Sequence, residues 1–115
     1  MTSEPGARAV PPVLWPPLST NRPAIVDLCR AHHVTRLAVF GSATSSRFDP
    51  ERSDVDLLVE FDSRQRTKRF EDYFGLKEGL EALLGRSVEL VTPDALANPF
   101  FAASVADSEA ELYVA

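Results

Sequence analysis

At 115 residues with 44% hydrophobic content, the chain is sized for one domain with a modest core rather than for a disordered polymer. Its net charge of −5, from 12 basic and 17 acidic residues, argues against a protein whose main work is gripping nucleic acid, which needs a basic face. No apolar run nears the ~20 residues that span a bilayer and no basic-then-apolar start marks a secretory signal; the single cysteine, Cys29, forbids an intrachain disulfide, so a reducing cytoplasm is expected.

Residues 1–20 contain Pro11-Pro12 and Pro16-Pro17 and read as a flexible, extended leader ahead of a domain at 21–115. Trp15, inside that leader, either folds back onto an apolar groove or docks on a partner. Ser19, Thr20 and Asn21 are good N-caps and Pro23 suits a first turn, so a helix starts there. Ile25, Leu28 and Cys29 give it one apolar face, with Cys29 as core filler. His32-His33 ends it and complements the helix dipole. Leu37-Ala38-Val39-Phe40 is apolar on both faces, as a buried strand from Arg36 requires.

A turn or short helix runs from Ser42 to about Arg47, and a loop continues through Ser53. Asp54 to Phe61 is a second strand. Asp62 to Arg69 is a polar connection holding Arg64, Arg66, Lys68 and Arg69, either a solvated loop or a contact for phosphate or an acidic partner. Phe70 to Leu84 is an amphipathic helix with Phe70, Tyr73, Phe74, Leu76, Leu80, Leu83 and Leu84 on its apolar stripe. Gly75 and Gly79 share one side, where a neighbour can approach closely, and Gly85 is a natural stop. Ser87 to Val91 is a third strand, Asp94 to Ala97 a turn of helix, Asn98 to Val105 a further helix around Pro99, and Glu111 to Val114 a short edge strand. The order predicts an α/β (α+β) domain with one sheet covered by helices.

The chemistry concentrates in Asp54-Val55-Asp56. Alternate residues of a strand share a face, so Asp54 and Asp56 point together while Val55, Leu57, Val59 and Phe61 point the other way. Two adjacent carboxylates repel and need a partner, and a divalent cation is the simplest one. Mg²⁺ binds one or two carboxylates together with substrate phosphates. Upstream, Gly41-Ser42 makes a turn after a strand: glycine lets backbone approach a phosphate, and Ser42 adds a short donor. Arg47 can add a charge-assisted contact. Glu89 joins the two aspartates if the third strand lies beside the second. Two-metal transfer needs such convergence, with metals about 3.5–4 Å apart: Asp54 and Asp56 bridge them, and Glu89 holds the second and helps deprotonate the attacking hydroxyl.

Phe40-Gly41-Ser42, the spaced Asp54-Val55-Asp56-Leu57-Leu58-Val59 and the later Val88-Glu89-Leu90-Val91 together resemble the minimal nucleotidyltransferase family of the DNA polymerase β-like superfamily, which includes the MntA-type antitoxins. The resemblance covers about Arg36 to Leu96. Two departures stand out: eleven residues, Ala43 to Ser53, separate Ser42 from Asp54 where the family usually has ten, and Glu89 stands where the family usually has Asp. The resemblance implies a nucleotidyltransferase fold, a small mixed sheet flanked by helices. It implies an enzyme that uses Mg²⁺, two ions, and ATP as substrate, and transfers AMP to a tyrosine hydroxyl of a partner HEPN-type toxin. Asp54, Asp56 and Glu89 are then the metal-binding and catalytic residues, and Gly41, Ser42 and Arg47 bind the nucleotide. Neither direct nucleic acid binding nor a membrane is expected. Two other readings stay open. A longer Glu89 shifts the second metal or the base by more than about an ångström, enough to weaken catalysis, and leaves an antitoxin that works by binding. A small-molecule nucleotidyltransferase would need an acceptor pocket from a further domain or a dimer partner.

Overall fold

Where the sequence predicts an extended leader, the chain from Leu14 onward is part of the folded body. The structure is a computed structural model that describes residues 14–45 and 48–115, and the leader before Leu14 lies outside the described residues. Pro16–Thr20 form a helical turn, α1, opened by Pro16-Pro17; proline fits there because the first N–H groups of a helix lack internal partners. Leu18 is fully buried. The Trp15 N–H donates to the Ala43 carbonyl at 2.9 Å, and its ring lies 4.6 Å from that of Phe48. Trp15 therefore packs back onto the domain, and hydrophobic burial at Leu18 overrides the proline-rich composition around it.

The remaining elements are α2 (Arg22–Ala31), β1 (Val34–Phe40), β2 (Val55–Phe61), α3 (Arg69–Leu84), β3 (Val88–Val91), α4 (Pro99–Ser108) and β4 (Ala110–Val114). Short 3-10 turns lie at Gly41–Thr44, Ser63–Lys68 and Pro93–Ala97. One mixed sheet runs in the order β3-β2-β1-β4. β1 is antiparallel to both β2 and β4, and β2 is parallel to β3. A parallel pair needs a crossover, and α3 supplies it. The last strand sits at the edge, as its sequence suggests. Asn98 caps α4 by accepting from the Phe100 and Phe101 N–H groups at 2.9 and 3.2 Å.

Strand alternation divides the apolar residues between two faces. Leu37, Val39, Val55, Leu57 and Val59 pack with Ile25, Cys29, Leu76 and Leu80 in the main core. On the other face Phe40, Leu58 and Val105 form a small cluster beneath α4. Burial pushes the Cys29 thiol up to about 12, so it is the inert filler expected.

Of two features read in α3 from the sequence, the glycine seam holds and the width of the apolar stripe differs. The neighbour admitted by its glycines is α2: a Cβ on Gly79 would lie 2.7 Å from Leu28 Cδ2, and one on Gly75 2.5 Å from His32 Cε1. The apolar stripe is also narrower. Leu76, Leu80 and Leu84 are buried at intervals of four, whereas Phe70 and Phe74 are 76% and 44% exposed and stack on each other at 4.8 Å. They lie two positions from the buried row, about 200° around the helix. Asp72 continues that row inward and is buried, paired with His33 Nδ1 at 2.9 Å and with His32 Nδ1 at 3.7 Å. The two histidines thus partner a buried carboxylate as well as closing α2, because a buried carboxylate is costly without one.

The α2–α3 seam sets the first prediction. Gly79→Leu should destabilise the fold by about 1–3 kcal/mol through overpacking against Leu28. Gly79→Ala should stay within about 1 kcal/mol of the native protein, since better helix propensity offsets a shift of the Leu28 tip. Urea unfolding of the two variants measures the difference.

Candidate active site

Phe40, Asp56 and Glu89 form a row across three strands. Phe40 is opposite Asp56 in the antiparallel ladder, and Asp56 is beside Glu89 in the parallel one. Asp54 lies two residues before Asp56, just ahead of β2, and is close enough for its charge to repel the Asp56 carboxylate. Asp56 is half-buried, while Asp54 and Glu89 are exposed. The three acidic residues singled out in the sequence are therefore neighbours at one end of the sheet.

Their proximity has an electrostatic consequence. The Asp56 carboxyl is pushed up from 3.8 to about 6, first by burial, then by repulsion from Glu89 and from Asp54. Both causes disfavour the charged form.

Gly41 explains how β1 can turn directly beside this carboxylate. Its backbone is left-handed, with φ of 77°, and a Cβ there would lie 2.9 Å from Asp56 Oδ2. Its N–H donates to Ser108 Oγ at 2.9 Å, so the last residue of α4 holds the turn. In the fold the missing side chain of Gly41 makes room for the Asp56 carboxylate. Ser42 is half-buried within the turn, and its carbonyl accepts from the Ser45 N–H at 3.0 Å. Thr44 Oγ1 donates to the Gly41 carbonyl at 2.8 Å and closes the turn. Arg47 lies outside the described residues.

Two groups that sequence reasoning does not single out hold the strands in place. Glu81 Oε2 accepts from the Val88 N–H at 2.9 Å and from Lys77 Nζ at 2.7 Å. The Lys77 bond and then the Val88 N–H hold the Glu81 carboxyl below its ordinary value. This joins α3 to the first residue of β3 and so sets the level at which Glu89 meets Asp56. Arg86 donates from Nε and Nη2 to the Ser53 carbonyl at 3.1 and 2.9 Å, and the Val55 N–H donates to the Ser87 carbonyl at 2.9 Å. A basic residue directly after the helix-stopping Gly85 is the only sequence signal that points to Arg86.

Among the described residues, no group of three or more His, Cys, Asp or Glu side chains is arranged to hold a metal ion by itself. The residues nonetheless fit a divalent cation. A half-buried carboxylate crowded by two others is relieved by positive charge, and Mg²⁺ takes only one or two carboxylates, completing its shell with water and phosphate oxygens.

The arginine-rich connection lies elsewhere. Arg66 and Arg69 line a cavity of about 470 Å³ together with Phe61, Ser63, Glu60 and Asp94. It sits at the far end of β2, five residues or roughly 16 Å from Asp56. Arg64 pairs with Asp62 at 2.9 Å, and the Arg69 guanidinium lies 5.0 Å from the centre of the Phe61 ring.

A family model described as a nucleotidyltransferase domain matches residues 24–110. A Methanocaldococcus jannaschii protein assigned as a protein adenylyltransferase is 36% identical over 74 residues, which are 64% of this chain and 72% of that protein. A solved structure described as a minimal nucleotidyltransferase is 32% identical with a TM-score of 0.64, over 91% of this chain and 98% of its own. A crystal structure of a toxin–antitoxin with AMP-PNP shares the fold at 23% identity and a TM-score of 0.58, over 83% of this chain and 74% of its own.

The crowding of Asp56 has a testable sign. Because its carboxyl is raised in the fold, its contribution to stability is complete below about pH 3.8 and is lost as pH rises through about 6. Carbon NMR of the metal-free protein should place the Asp56 midpoint near 6, and Glu89→Gln should lower it. Asp56→Asn should be more stable than the native protein by on the order of 1 kcal/mol at about pH 8, and lose that advantage near about pH 4. Gly41→Ala, strained by its left-handed backbone and pressed against Asp56, should cost about 1–2 kcal/mol in chemical denaturation.

Proposed function

The chain belongs to the nucleotidyltransferase domain family, and from that premise we propose that it is an antitoxin that transfers AMP from ATP to a tyrosine hydroxyl of a partner HEPN-type toxin. The observation that carries this reading is the carboxylate row. Asp54, Asp56 and Glu89 lie at one end of the sheet, beside the Gly41 turn. The relative assigned as a protein adenylyltransferase supports a protein acceptor. The same reading puts the protein in the cytoplasm and gives it no membrane or nucleic acid partner; among the described residues no helix is long and apolar enough to cross a membrane.

In this reading Asp54 and Asp56 would hold Mg²⁺, and Glu89 would complete the set for a second ion. When bound, the metal neutralises the triphosphate and polarises the α-phosphate. Ser42, at the turn beside Asp56, donates to the phosphates, and Arg47 adds its charge. Glu89 is exposed and so is open to a protein acceptor. It takes the tyrosine proton as the phenolic oxygen bonds to the α-phosphorus. The bond from that phosphorus to the α–β bridging oxygen breaks, and pyrophosphate leaves.

The length of Glu89 favours one alternative, an antitoxin that neutralises its toxin by binding alone. Incubating the purified chain with its toxin, Mg²⁺ and ATP labelled at the α-phosphate separates the two. Label should pass to the toxin, fall by about a hundredfold or more in Asp54→Ala and in Asp56→Ala, and stop when the metal is chelated. Undiminished label in both variants overturns the proposal. Neutralisation without label supports the binding-only alternative, and label on a small alcohol instead of the toxin revives the small-molecule one.

A further inference from the structure

We infer that Arg86 is a positioning residue of the carboxylate site, fixing the direction in which Asp54 projects. The inference rests on the reading of Asp54 as a metal-binding residue, and its geometry stands on its own. Asp54 precedes Val55, the first residue of β2, so the sheet does not hold it directly. Its orientation depends on the two peptide groups that flank it. The Ser53–Asp54 peptide presents the Ser53 carbonyl, which accepts from both Arg86 Nε at 3.1 Å and Nη2 at 2.9 Å. The Asp54–Val55 peptide presents the Val55 N–H, which donates to the Ser87 carbonyl at 2.9 Å. Two consecutive residues of the α3–β3 connection therefore grip both peptide planes around Asp54. Fixing both planes fixes its φ and ψ, and with them the Cα–Cβ direction.

The type of residue matters. A guanidinium presents two parallel N–H donors in a rigid fork and can occupy both lone pairs of one carbonyl, whereas a lysine ammonium is a single flexible point. Arg86 is half-buried, which shields these bonds from competing water. Gly85 delivers it there. That glycine has φ of 70°, and no atom lies within 4 Å of where its Cβ would be, so it is required for its backbone conformation rather than for space. The remaining ties on Ser53, its N–H to the Asp49 carbonyl at 2.8 Å and its hydroxyl accepting from the Asp49 N–H at 2.9 Å, fasten it to the preceding loop and leave the Asp54 peptide planes to Arg86 and Ser87.

Arg86→Ala and Arg86→Lys in the full chain test the clamp by two independent readouts. Amide hydrogen exchange needs neither nucleotide nor metal: Val55 should exchange about tenfold faster in Arg86→Ala, with Leu57 and Val59 unchanged. In AMP transfer, kcat should fall about tenfold to a hundredfold while KM for ATP moves by less than about threefold, because an ångström of misplacement acts on the transition state. Arg86→Lys should recover only part of either loss, and it carries both measurements if Arg86→Ala does not fold. Native exchange at Val55 in a folded variant overturns the inference, as does a native kcat. If the native chain transfers no AMP at all, the exchange arm still decides the clamp, so its failure stays distinct from failure of the functional reading.

Discussion

A half-buried carboxylate with two like charges for neighbours is unfavourable on its own, and the fold keeps Asp56 in that position from several directions at once. β1 ends opposite it, Gly41 turns away without a side chain to displace it, and β3 brings Glu89 alongside. The result is a carboxyl raised to about 6, a local electrostatic strain that a proton or a bound cation relieves. Strain of this kind is typical of functional sites, where stability is given up for a poised group. A core selected for stability alone would place an apolar or amide side chain there.

The rest of the domain supplies the rigidity this requires. The α2–α3 seam, close because Gly75 and Gly79 lack side chains, anchors the helix that carries the crossover. From that helix Glu81 reaches the first amide of β3, and Arg86 reaches back to the loop before β2. On the opposite face, α4 covers Leu58 and Phe40 and lends its final hydroxyl to the Gly41 amide. Elements far apart in sequence thus converge on one short segment, Ser53 to Asp56. Carboxylates that must be placed within about half an ångström are better supported by such bonded elements than by a free loop.

Much of this was legible in the chain. Strand alternation placed Asp54 and Asp56 on one face, and the order of helices and strands predicted one sheet covered by helices. What was misread follows a pattern. Phe70 and Phe74 are apolar and helical, yet the buried row of α3 is narrower than its apolar stripe, because the sheet beneath contacts only one side. Pro16 and Pro17 suggested an extended leader, but one buried leucine recruits that segment to the core. The histidines after α2 suited a dipole, and only the packing of α3 shows that they flank Asp72.

The sequence alone determined the alternation of apolar and acidic residues, the helix and strand periods, and the family signature, because these are local properties of a chain. Only the tertiary structure decided that Glu89 lies beside Asp56 and not elsewhere, that Gly41 yields its space to a carboxylate, and that Arg86 grips the peptide before Asp54. Those facts depend on strand register and on where a helix ends in space. Register is set by the sum of packing across the whole sheet, and no local segment contains it.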